Sequence, residues 1–84
     1  MKEIAYSKAA LGTLRRIPSN EAKRITSKIE QYATEPSSLA NQISSLKGSE
    51  GLLRLRVGDW RVIFSEAGEV MAIIRIAPRG GAYK

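Results

Sequence analysis

Eighty-four residues without a single cysteine or histidine exclude disulfide staples, thiolate chemistry and any imidazole base or metal ligand. Fourteen Lys and Arg against eight Asp and Glu leave a formal net charge of +6, an excess that favours a polyanionic or acidic partner. The length suits one domain spanning residues 1–84. No apolar run approaches the roughly 20 residues of a membrane-spanning helix. The opening MKEIAYSK lacks the apolar centre of a secretory signal, so the cytoplasm is the expected compartment, with no membrane partner.

Residues 2–6, KEIAY, set Ile4 and Tyr6 two apart and predict a short first or edge strand. Ser7 offers an N-cap hydroxyl for a helix reaching about Arg16, with Leu11, Leu14 and Ile17 as its apolar face. Pro18 ends that helix and suits the first turn of the next. From Pro18 to about Thr34, Ala22, Ile25, Ile29, Tyr32 and Ala33 form one helical stripe. Lys23, Arg24, Lys28 and Glu30 occupy the other positions and are expected to be solvated. Pro36 disfavours helix at Glu35, so 35–51 reads as a Ser- and Asn-rich loop pinned by Leu39, Ile43 and Leu46.

The last third changes character. LLRLRV (52–57), WRVIFSE (60–66) and EVMAIIRIA (69–77) are strand-like runs joined by turns at Gly58-Asp59 and Ala67-Gly68, an antiparallel meander. The final run is apolar on both parities, with Val70, Ala72, Ile74 and Ile76 on one and Met71 and Ile73 on the other, which predicts a central strand. The expected class is α+β. The N-terminal strand and helical hairpin pack on one face of a mainly antiparallel four-stranded sheet.

Arg54 and Arg56 share one face of their strand, while Leu53, Leu55 and Val57 point the other way. Arg61 begins the next strand just across the turn. Arg75 shares parity with Met71 and Ile73, and Arg79 follows shortly after. Read from the residues alone, these arginines form either an anion-binding surface or a solvated set that protects a sheet from aggregation. Trp60 shares parity with Val62 and Phe64 and reads as core rather than as a platform for a stacked base. Tyr6 and Tyr32 also lie on apolar stripes.

The segments RLRVGDWRVIF and IRIAPRGGAYK, behind a strand and a helical hairpin, resemble the RelE branch of the RelE/ParE superfamily, toxins of type II toxin–antitoxin modules. The resemblance spans essentially the whole chain. It implies a RelE-like fold and a ribosome-dependent, metal-independent mRNA endoribonuclease without a cofactor. The implied partners are the ribosome, mRNA and a cognate antitoxin that holds the toxin inactive in a hetero-oligomer. Residue by residue, it implies catalytic roles for Arg54, Arg56, Arg61, Arg79 and Tyr83. Lys47 matches an RNA-backbone contact, and Arg75 joins Arg54 and Arg56 as RNA-binding. Pro78 stands where many relatives carry histidine, and Gly80, Gly81 and Ala82 replace charged residues, so proton transfer falls on Tyr83. Nearby guanidinium groups would favour its phenolate, whose reference pKa is about 10. Two alternatives are a ParE-like inhibitor of DNA gyrase and a catalytically inactive RNA- or protein-binding module of the same fold. The placement of Arg54, Arg56, Arg79 and Tyr83 speaks against the gyrase reading.

Overall fold

Ser7 caps the first helix and joins it to the sheet. The computed structural model describes residues 2–45 and 51–78. These form β1 (Glu3–Tyr6), α1 (Lys8–Arg16), α2 (Ser19–Thr34), a kinked 3₁₀ stretch (Pro36–Gln42), β2 (Ile43–Ser45), β3 (Leu52–Val57), β4 (Trp60–Ala67) and β5 (Val70–Pro78). The sheet order is β1-β5-β4-β3-β2; β1 runs parallel to β5 and the other pairs are antiparallel. The expected class is therefore observed, with five strands among the described residues rather than four. The extra strand comes from the segment expected to be a loop: Ile43, Ser44 and Ser45 pair with Leu55, Arg54 and Leu53. Three residues are too few for an alternating pattern to show in the sequence.

The two helices cover one face of the sheet. Ile25 and Ile29 of α2 are fully buried against Leu55, Val62, Phe64 and Ile73 in a single core. On α1 the buried position is Ala10, with Leu14 and Ile17 packed beside the core. Leu11, expected on the apolar face, is 36% exposed. Trp60 packs on the same core as expected, and its indole N–H donates to Glu21 Oε2 at 2.8 Å, tying β4 to the first turn of α2.

The last strand departs from simple alternation. Ile63 pairs with Arg75 but Phe64 pairs with Ile73, so Ile74 is the extra residue of a β-bulge. The bulge changes which side chains face the helices. Met71, Ile73 and Ile76 are buried, whereas Ile74 is 39% exposed, contrary to the expectation that Ile74 and Ile76 share the core face. Arg75 is likewise freed from the parity of Met71 and Ile73. Ser7 holds this irregularity: its hydroxyl donates to the Ile74 carbonyl at 2.6 Å and accepts from Ala10 N–H at 3.0 Å, while its own N–H donates to the Ile73 carbonyl at 2.9 Å. One N-cap thus satisfies both a helix terminus and a bulged strand.

At the opposite end of the core, the Tyr32 ring meets Phe64 edge-on with centroids 5.2 Å apart. The Tyr32 hydroxyl donates to Glu66 Oε1 at 3.2 Å, and Lys2 Nζ lies 3.3 Å from Glu66 Oε2. Burial, and then the Glu66 carboxylate, push the Tyr32 phenol above its ordinary pKa. A phenol raised in the folded state contributes stability that is present below its unfolded value and is lost as pH rises through the folded value. As pH rises above about 10, the ordinary phenol value, Tyr32→Phe should therefore lose less stability than the native chain. At neutral pH it should be destabilised by about 1 kcal/mol through loss of the hydrogen bond. Urea unfolding at several pH values reads both effects; parallel pH profiles for the two proteins would contradict the assignment.

Candidate nucleic-acid interface

Alternation along β3 sends Leu55 and Val57 into the core and Arg54 and Arg56 to the face that the helices leave uncovered. Val57 pairs with Trp60 across a two-residue loop, Gly58-Asp59, in which Gly58 has φ +59°. A glycine at the first central position with positive φ is the chemistry of a tight hairpin whose twist matches its strands. That register sets Arg61 directly opposite Arg56 and Ile63 directly opposite both Arg54 and Arg75. Two cross-strand rows result on the uncovered face, Arg56–Arg61–Ala77 and Arg54–Ile63–Arg75.

Arg54, Arg56, Arg61 and Arg75 are therefore brought to one face, as the sequence suggested for an anion-binding surface. Arg54 Nε donates to Ser44 Oγ at 3.2 Å across to β2. A small cavity of about 190 Å³ is lined by Arg54, Arg56 and Arg61 together with Asn41, Gln42 and Ser44. The three neutral residues were missed in the sequence because a 3₁₀ stretch and a three-residue strand carry no readable period. Directly opposed guanidinium groups repel, and guanidinium does not lose its charge, so an anion placed on this face would reduce that repulsion. Planar guanidinium groups suit phosphate in particular, through paired N–H donors. Lys47, Arg79 and Tyr83 lie outside the described residues. Among those described, no three carboxylates converge as a metal site would need.

The basic surface also extends round the hairpin. Arg24 is exposed, as expected, and Lys28 is half-buried; both line a second groove of about 540 Å³ with Arg56, Arg61 and Asp59. Their spacing of four along α2 was the available signal, since it sets both on one side of a helix. A Cβ built on Gly58 would lie 2.8 Å from Arg24 Nη2, so the missing side chain is what lets the guanidinium rest over the turn.

Residues 4–83 match the family described as the ParE toxin of the type II toxin–antitoxin system parDE. The chain belongs to the ParE toxin family. This toxin also superposes on solved RelE structures. RelE in the RelE–RelB complex of Pyrococcus horikoshii OT3 is 27% identical with a TM-score of 0.77, over 96% of this chain and 98% of that one. The corresponding complex from Methanococcus jannaschii gives 26% identity and a TM-score of 0.71, over 94% of both chains. Isolated RelE from E. coli shares the fold at 15% identity with a TM-score of 0.76, over 99% of this toxin and 89% of that chain. No curated protein matches the toxin in a comparison of sequences. Among the described residues no helix is long and apolar enough to cross a membrane.

Gly58→Ala should destabilise the toxin by about 1–2 kcal/mol, because an L-residue is disfavoured at that positive φ. Adding Arg24→Ala should remove the collision while leaving the backbone cost, so the double variant should recover only part of the loss. Urea midpoints of Gly58→Ala and the double variant beside that of the native toxin measure the difference; an unchanged midpoint for Gly58→Ala would contradict it.

Proposed function

We propose that this type II toxin is a ribosome-dependent mRNA endoribonuclease, restrained by a cognate antitoxin in a hetero-oligomer. The observation that carries the reading is the gathering of Arg54, Arg56, Arg61 and Arg75 on the sheet face opposite the helices. RNA can be cut by its own 2′-hydroxyl: the 2′-oxygen loses its proton and attacks phosphorus, a 2′,3′-cyclic phosphate forms, and the 5′-oxygen leaves with a proton. Charge accumulates on the phosphoryl oxygens in the transition state. Fixed guanidinium groups stabilise that charge without having to reorganise. Arg54, Arg56 and Arg61 take this role, and Arg75 holds the RNA backbone on the adjoining row. Tyr83 is the proposed acceptor of the 2′-proton and Arg79 the residue that attends the leaving oxygen. Lys47 contacts the backbone nearby.

The restraining partner is proposed from the relatives, of which those from P. horikoshii and M. jannaschii are bound to RelB antitoxins. The matching family favours a second reading, inhibition of DNA gyrase through protein contact, for which the basic face would be a docking surface.

Mapping mRNA 5′-ends on translating ribosomes after induction distinguishes the two. Codon-phased cuts are expected with the native toxin. Arg56→Ala and Arg61→Ala should each reduce them by roughly 100-fold, as for loss of one transition-state anion contact, and Tyr83→Phe should leave few or none. Growth arrest with intact mRNA and damaged DNA would replace the nuclease with the gyrase reading.

A further inference from the structure

The groove beside the β3–β4 hairpin adjoins the cleavage site described above, sharing Arg56 and Arg61 with it and adding Arg24 and Lys28. β2 pairs with β3 only as far as Leu55, so the edge of β3 at Arg56 and Val57 is open to the groove, and α2 and the 3₁₀ stretch wall the other side. Arg24 and Lys28 enter it from α2, Arg56 and Arg61 from the hairpin; among the described residues that line it, Asp59 is the one carboxylate. The lining thus carries four cations beside one carboxylate among the described residues, and the cations sit on three elements, α2, β3 and β4.

Two local features set the α2 cations against this groove, Arg24 exposed at its rim and Lys28 half-buried. Arg24 lies over Gly58, at a distance that no other residue at position 58 would allow without a shift. Lys28 is half-buried, and its ammonium donates to the neutral amide oxygen Gln31 Oε1 at 3.4 Å rather than to a carboxylate. Like charges held together in this way are relieved by an anion.

Continuity identifies the anion. Gln42, Arg56 and Arg61 line both this groove and the smaller cavity at Arg54, so an occupant with repeating negative charge passes from one to the other without a break. An amphipathic protein helix would need a row of apolar anchors, and the apolar lining here is limited to Leu39 and Val57. The volume of about 540 Å³ is in the range of a small-ligand pocket and admits a nucleotide unit.

We propose that this groove binds a second backbone phosphate of the RNA, neighbouring the one held by Arg54, Arg56 and Arg61, with Arg24 and Lys28 as its added ligands. The identity of the polyanion rests on the nuclease reading above. The second phosphate would set the path of the strand across the sheet and hence which linkage is presented for cutting.

The test uses short 2′-O-methyl oligoribonucleotides, which cannot be cleaved, each carrying one uncharged methylphosphonate linkage at a successive position. Affinity for the purified toxin is read by fluorescence anisotropy. The native toxin should lose roughly tenfold in affinity at each of two neighbouring linkages, the size expected for one charge-assisted contact. Arg24→Ala/Lys28→Ala should become indifferent to one of the two and keep its sensitivity at the other, and its salt dependence should be shallower by about 0.7. Neither substituted side chain belongs to the buried core, and a thermal melt beside that of the native toxin confirms that the variant is folded. A double variant still sensitive to both linkages overturns the proposal, as does a native toxin indifferent to every linkage or unable to bind the oligonucleotides. A double variant that binds RNA normally but loses affinity for a polyglutamate peptide assigns the groove to an acidic protein and also overturns it. Because nothing is cut in this assay, a toxin that leaves mRNA intact yet shows the paired sensitivity upholds the groove and loses only the nuclease reading.

Discussion

The helical hairpin covers one face of the sheet, and that asymmetry sorts every strand residue into one of two environments. On β3 the sorting is strict, with Leu55 and Val57 buried and Arg54 and Arg56 on the opposite side. A slip of one residue would carry both arginines into an apolar core, where an unpaired charge costs several kcal/mol. Hydrophobic burial and the basic face are therefore one constraint expressed on two sides of the same strands. The hairpin extends it to β4, because closing Val57 onto Trp60 through Gly58 and Asp59 leaves Arg61 nowhere but opposite Arg56.

The bulge at Ile74 is the point where the sheet reconciles two demands. The first half of β5 must bury Met71 and Ile73 beside the parallel strand β1, and the second must bury Ile76 while presenting Arg75 on the open face. Regular alternation cannot do both, since Ile73 and Arg75 would share a side. One additional residue changes the parity, and the Ser7 hydroxyl takes up the carbonyl of that residue. The cap of α1, the end of β1 and the placement of Arg75 are in this way mechanically linked.

The basic surface gathers like charges from three elements of the fold. Arg56 and Arg61 face each other across β3 and β4, and Arg24 and Lys28 approach from α2. Membership of a toxin–antitoxin family gives this arrangement a biological setting.

Much of this was legible in the residues because it depends on short-range periodicity. The stripe Ile25, Ile29, Tyr32 and Ala33 announces α2, Ser7 announces the start of α1, and LRLRV with Gly58-Asp59 announces a hairpin carrying arginines on one side. The terminal Tyr83, like Lys47, entered through resemblance to a family and not through pattern, whereas Arg79 also belonged to the arginine set read from the residues. What only the tertiary structure decided depends on partners distant in the chain. Ile43–Ser45 is a strand because Leu53–Leu55 lies beside it, and Ile74 bulges because β4 and β1 impose different parities on β5. Arg24 and Lys28 join the arginine face because α2 packs where the hairpin turns and Gly58 leaves room there. Helix and strand periods report which side of an element is apolar; where the remaining sides meet is set only when the elements pack.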